Sequence, residues 1–383
     1  MRVVAFAHVP GPLKSGDEQH YVRDLPGWGR EMGYVNPSRS DGAKPLSYGH
    51  RPSLAESGTM NYRVWCYFTV GILGLIAGVL VFMNFLNAKP PKEDSGDPAA
   101  RKAGAFDGDR ALAYLIKLCD LGPRISGSDA MKQQQDLLEA HFTKHGATVA
   151  FQKFDGRQPS QAKAVGMANM VISWHPESKT RVILCGHYDT RPIADQERNT
   201  RDWRKPFLSA NDGTSTVAWM MELAHQMKDL KTAVGVDFVI FDGEEWINDV
   251  NRDRFFLGSQ HFGAEYKKAK GVPKYQAAIN LDLFAGPGAT YPIEQNSKFF
   301  AGELVEDFWK VAADLGVKAF RNEDGPQVQD DHIALNAAGI PCIDIIDFDY
   351  PHWHKLTDVP SNCSAESMAT VATVVVAWLQ KVK

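Results

Sequence analysis

Five stretches of the 383-residue chain set acids or histidines where an apolar run ends or a helical one begins. "RVILCGHYDT" closes with His187 and Asp189, and "VIFDGEE" with Glu244 and Glu245. "INLDLF" carries Asp282, and "FLSANDGTS" puts Asp212 just before a helical stretch. "FDYPHWHKLTD" brings His352, Trp353 and His354 after an apolar run. Singly, each has an ordinary explanation: an Asp before a helix caps it, and a His after a strand hydrogen-bonds in a loop. Together they point elsewhere. Several carboxylates gathered at one sheet edge repel unless a cation neutralises them, and mixed imidazole and carboxylate donors suit Zn²⁺. The adjacent Glu244 and Glu245 are either a solvated turn or a pair with divided labour, one on a metal and the other moving protons.

The elements that must position these groups alternate. Short apolar runs, "NMVISW", "RVILCGHYD", "VDFVIFDGEE", "AAINLDLF" and "IPCIDIIDF", read as strands. Longer periodic runs read as helices: 108–122, 128–146 with a Ser128 or Asp129 cap and a Gly146 stop, 214–230, 298–316 and 365–382. The alternation predicts an α/β fold, a mostly parallel central sheet with helices on both faces. Ligands then bind beyond the C-terminal strand ends, where the acids and histidines fall.

Composition is globular, 44% hydrophobic and 23% charged, and a net charge of −4 gives no reason to expect nucleic acid as a partner. Five scattered cysteines without C-x-x-C spacing read as unpaired and buried. Residues 1–61, rich in Gly, Pro, Ser and charge, read as disordered. Val64 to Leu86 carries no charge and is flanked by Arg63 and by Lys89 and Lys92; a run of about 20 apolar residues spans a bilayer. We therefore expect one transmembrane signal-anchor over 62–86, a linker over 87–107 and a zinc-dependent catalytic domain over 108–383. The expected arrangement is a single-pass membrane protein. Its catalytic domain faces out of the cytoplasm, into the periplasm, or into the secretory-pathway lumen if the cell is eukaryotic.

Over roughly 109–383 the chain resembles the zinc-dependent aminopeptidases and the related glutaminyl-peptide cyclotransferases, through "GHYD", "SANDG", "DGEE", "NLDL", "QDDH" and "HWHK" in that order. The resemblance implies Asp212, Glu245 and His354 as ligands of one zinc. It implies His187 and Asp282, with Asp212 bridging, as a second zinc site in dinuclear aminopeptidases. Asp189 would orient His187, and Glu244 would be the general acid/base. His332 reads as support for Asp330 or Asp331 rather than as a ligand.

Two reactions remain open. A cyclotransferase, with one zinc, converts an N-terminal glutamine to pyroglutamate and releases ammonia; an aminopeptidase, with two, hydrolyses the N-terminal residue. Peptide or protein N-termini are the expected substrates of both. "VQDDHI" resembles the cyclotransferases, which implies that Asp330 joins a hydrogen-bonded carboxylate network with Asp282 and that Gln329 faces substrate. Trp353 before the zinc histidine, where peptidases commonly have Tyr, would wall a small pocket. "LGPRISGS" also looks like the cyclotransferase opening. Val250 stands where animal cyclotransferases carry a pocket tryptophan. A third reading is an inactive binding homologue on the same scaffold. Met60 would make a compact signal-anchor start; N-terminal sequencing of the natural protein is then expected to yield no peptide from 1–59.

Overall fold

The computed structural model describes residues 106–383; the expected disordered segment, anchor and most of the linker lie outside them. Among the described residues no helix is long and apolar enough to cross a membrane.

Two helices open the fold, α1 (Gly108–Cys119) and α2 (Asp129–Lys144). Asp107 and Ser128 cap them by accepting from Arg110 N and Met131 N. Next come β1 (Thr148–Gly156), β2 (Val165–Trp174), β3 (Thr180–His187), α3 (Thr214–Met227), β4 (Gly235–Phe241), α4 (Leu257–Lys268) and β5 (Lys274–Asp282). The chain continues through β6 (Tyr291–Ile293), α5 (Gln295–Asp314), β7 (Phe320–Asp324), α6 (Asp331–Ala337), β8 (Cys342–Ile346) and α7 (Ala365–Lys381). The main sheet has the order β1-β2-β4-β3-β5-β8, and β6 pairs with β7 separately. β4, β3, β5 and β8 pair in parallel, whereas β2 pairs antiparallel with both β1 and β4. The sheet is thus mixed, with β2 reversed against its neighbours.

The central strands read as uninterrupted apolar runs because both faces are covered. Side chains alternate between two cores. Val182 and Leu184 of β3, with Val236, Phe238 and Ile240 of β4, join the larger core. Ile183, Cys185, Val239 and Phe241 join the smaller one with Phe262 of α4 and Leu335 of α6. The described cysteines, Cys119, Cys185, Cys342 and Cys363, are free and buried, as expected.

One buried ion pair locks the N-terminal end of this sheet. Arg181 Nε and Nη2 donate to Asp237 Oδ2 and Oδ1 at 2.9 and 2.6 Å, and Tyr275 Oη donates to Asp237 at 2.7 Å. Removing one partner of a buried pair leaves an uncompensated charge. Asp237→Asn is expected to cost about 3–5 kcal/mol of unfolding free energy, measured by urea denaturation.

Candidate active site

Four neighbouring strand ends and the loops after them build the site. His187 is the last residue of β3 and Asp282 the last of β5. Glu244 and Glu245 follow β4, Asp212 precedes α3, and His354 lies in the loop after β8. Apart from Asp282, whose side chain is 14% exposed, all these residues are buried.

Backbone donors hold the acids in place. Asp189 accepts from Glu244 N through Oδ1 at 3.0 Å and from Glu245 N through Oδ2 at 3.1 Å. Asp358 does the same for the Asp212 loop, accepting from Asn211 N at 2.9 Å and Asp212 N at 3.2 Å, with Tyr350 Oη donating to it at 2.9 Å. Gly213 has φ +72°, and its N–H donates to Asp282 Oδ1 at 3.3 Å. His187 packs directly over it: a Cβ at 213 would lie 2.5 Å from the ring.

Two ligand sets share Asp212. In the first, Asp212, Glu245 and His354 each offer an atom within 4.8 Å of the others. His354 Nε2 sits 2.6 Å from Glu245 Oε1 and 3.7 Å from Asp212 Oδ2. In the second, His187 Nε2 lies 3.1 Å from Asp212 Oδ1 and 3.5 Å from Asp282 Oδ1. Glu244 Oε2 stands 3.8 Å from His187 Nδ1, and His187, Glu244 and Glu245 form a third possible set. Asp212 Oδ2, Glu245 Oε2 and both ring nitrogens of His187 are buried without a hydrogen-bond partner. Buried donors and acceptors normally find one. Unsatisfied carboxylate oxygens and imidazole nitrogens facing one another are what a Zn²⁺ ion would satisfy.

The electrostatics agree. Burial, and then the charge of Glu245, push Asp212 well above the usual carboxylate range. Burial likewise pushes Glu244 well up, despite the opposing influence of His187. Burial alone would also raise Glu245, but the charge and hydrogen bond of His354 outweigh it and hold Glu245 below its ordinary value. Burial would lower His354, yet the Glu245 charge lifts it to about 9. The two adjacent glutamates are therefore driven in opposite directions.

Asp330 caps α6, and its Oδ2 accepts from Asn280 Nδ2 at 3.0 Å. Asn280 also donates to Asp344 Oδ1 at 3.1 Å. The hydrogen bonds at Asp330 therefore run through the Asn280 amide to Asp344, not to Asp282 as expected, whose Oδ1 accepts from Gly213 N instead. Asp282 acts on Asp330 through charge, which together with burial pushes Asp330 well up. His332 does not chiefly serve Asp330 or Asp331: its nitrogens lie 3.2 Å from Glu294 Oε2 and 3.7 Å from Asp344 Oδ2. Trp353 is half-buried, with its ring centroid 4.0 Å from that of His354 and 5.0 Å from that of Phe348. Gln329 is exposed beside buried Val328, which packs in the same small apolar cluster as Trp353. Val250 is exposed, in a cleft of about 400 Å³ with Trp203 and Ile193, and Trp246 is buried.

Arg191 and Asp195 escaped the sequence reading. Arg191 Nη1 is 3.4 Å from Glu245 Oε1, and its Nε donates to Asp195 at 2.8 Å. Asp195 Oδ1 lies 3.1 Å from His354 Nδ1, the carboxylate–imidazole support that metal-binding histidines commonly have. The only signal was opposite charges four residues apart just after "GHYD".

Comparison with known proteins now bears on this geometry. The family model described as peptidase family M28 matches residues 169–379. The chain belongs to that family. A solved glutaminyl cyclase from Fimbriiglobus ruber is 51% identical, with a TM-score of 0.71, over 73% of this chain and 96% of that one. A leucine aminopeptidase precursor from Bacteroides thetaiotaomicron is 29% identical, with a TM-score of 0.68, over 73% and 98%. The glutaminyl-peptide cyclotransferase of Bos taurus is 24% identical over 51% of this chain, and the chain spans 60% of its length. The resemblance drawn from the motifs holds, and these relatives make the chain an enzyme of the M28 type.

Gly213→Ala combines a strained φ with a clash against His187. It is expected to weaken zinc binding by about 10–100-fold, read by competition with a chromogenic chelator, with the far-ultraviolet CD spectrum unchanged.

Proposed function

We propose that the chain is a zinc-dependent glutaminyl-peptide cyclotransferase acting on peptide or protein N-termini. The observation that carries this is the 51% identity to a glutaminyl cyclase across nearly all of that protein, and the M28 family match over residues 169–379 includes Asp212, Glu244, Glu245 and His354. Asp212, Glu245 and His354 would hold the ion. When bound, it supplies a Lewis acid that polarises the carboxamide carbonyl of an N-terminal glutamine.

The chain's own residues do the rest. Glu244 stands outside the Asp212–Glu245–His354 set, and burial raises the affinity of its carboxylate for a proton, which suits it to accept one and return it. It takes a proton from the substrate α-amine as that nitrogen bonds to the side-chain carbonyl carbon. It returns the proton to the departing nitrogen, which leaves as ammonia when the carboxamide C–N bond breaks. Asp282 and Asp330 present acceptors and a raised carboxyl to the reacting nitrogens, with Asn280 fixing Asp330. Trp353 walls the glutamine side chain, and Gln329 meets the peptide at the rim.

One observation favours the second reading, a metallo-aminopeptidase. His187, Asp212 and Asp282 could hold a second ion, and a leucine aminopeptidase precursor shares the fold. Glu244 would then take its proton from an attacking water. We further propose that residues 62–86 anchor the enzyme, with residues 108–383 outside the cytoplasm.

On the full-length chain, Gln-initiated peptides are expected to yield ammonia and pyroglutamate, and aminoacyl-p-nitroanilides no p-nitroaniline. The reverse result selects the peptidase, and neither activity at full zinc loading selects the binding homologue. One zinc per chain fits the cyclotransferase and two the peptidase. Glu244→Gln is expected to lower kcat by about 10²–10⁴ with zinc retained, and Glu245→Gln to lose the zinc.

A further inference from the structure

A second group of imidazoles lies away from the catalytic edge. His141 sits in the last turn of α2, His145 caps that helix one turn on, and His225 lies in the last turn of α3. Each offers one ring nitrogen, and the three nitrogens lie within 4.8 Å of one another. The ring centroids of His145 and His225 are 4.1 Å apart, and those of His141 and His145 are 4.6 Å apart. The active site lies beyond the opposite end of α3; from Thr214 to His225 the helix rises roughly 16 Å.

Three features fit this trio to a metal. First, two of the rings are already oriented. His141 Nε2 is 2.8 Å from the Met221 carbonyl oxygen, which can only accept, so that nitrogen carries the proton and Nδ1 keeps its lone pair. His225 Nε2 is 2.8 Å from Tyr114 Oη. A backbone carbonyl accepting from the other ring nitrogen is a usual support for a metal-binding histidine, and the Tyr114 hydroxyl holds the second ring in place. Second, two helix C-termini converge there, and their dipoles favour a cation. Third, His141 and His145 are half-buried, so two of the three rings are partly shielded from water. The nearby cations Lys144, Lys117 and Arg110 oppose an ion, but Arg110 is engaged by Glu222, with Nε donating at 2.5 Å and Nη2 at 2.7 Å.

We propose that His141, His145 and His225 form a second metal site, one that takes imidazole-seeking divalent cations such as Zn²⁺ and clasps the C-terminal ends of α2 and α3 together. Three imidazoles leave one tetrahedral position open. The site bears no part of the cyclotransferase chemistry and does not depend on that reading.

Equilibrium dialysis of the untagged full-length chain against Zn²⁺, with metal counted by mass spectrometry, tests it. His145→Ala and His225→Gln are each expected to lose one equivalent, or to bind it at least tenfold more weakly, while Glu245→Gln keeps that equivalent and loses a different one. The exposed position of His225 makes its variant the safer control for folding, checked by CD. Equal zinc content and affinity in the parent and both variants overturns the site, and so does a loss in only one of the two.

Discussion

Crowding of like charge in a dry place is the constraint on which the structure depends. Asp212, Glu244 and Glu245 are buried, and Asp282 stands beside them, around two imidazoles. Among the described residues, Arg191 is the one guanidinium or ammonium group in contact with Glu245. In a low-dielectric site such a cluster is unstable unless protons or a cation compensate it. The opposite drift of Glu244 and Glu245 is a consequence of geometry. Glu245 faces His354 and Arg191, while for Glu244 burial and the surrounding acids outweigh His187, 3.8 Å away.

A cluster of this kind must also be held rigidly, since its members would relax apart. The fold supplies the restraint through backbone donors. Asp189 spends both carboxylate oxygens on the N–H groups of the two glutamates, and Asp358 spends both on the Asp212 loop. Each is an acid acting as a clamp on another acid's backbone. Parallel pairing of β4, β3, β5 and β8 then brings four carboxyl ends to one edge. The bidentate Arg181–Asp237 pair secures the same sheet at its other end.

Much of this was legible in the sequence because period and residue type coincide. Central strands such as "GVDFVIF" are apolar throughout, and the ligand residues follow them directly. The strand β1 was missed because "TVAFQKFDG" lies at the sheet edge, where alternating exposure mixes Lys and Gln into the pattern. The reversal of β2 is set by pairing with β4 across the chain, which no local period encodes. Asp358 and Arg191 were missed for a related reason. Their partners lie 147 and 54 positions away, and an isolated Asp or Arg in a loop carries no spacing signal. The partner of Asp330 is not legible for the same reason: Asn280 is a strand residue in "AINLD", and nothing local shows that its amide links Asp330 to Asp344 across the fold.

The division between core and rim explains why the metal set is easier to read than the reaction. Ligand positions are dictated by strand ends and by charge balance, so every enzyme built this way needs the same residue types there. Substrate walls come instead from loops, where packing is less constrained. Trp353 has a defined neighbour in His354 and a partial seat against Leu283, Val328, Ile346 and Tyr350. Val250, on the loop after the glutamates, stays exposed in a cleft with Trp203. The aromatic surface beside His354 therefore comes from the β8 side, through Trp353 and Phe348, whereas the loop after the glutamates contributes Val250 to a cleft lined by different residues.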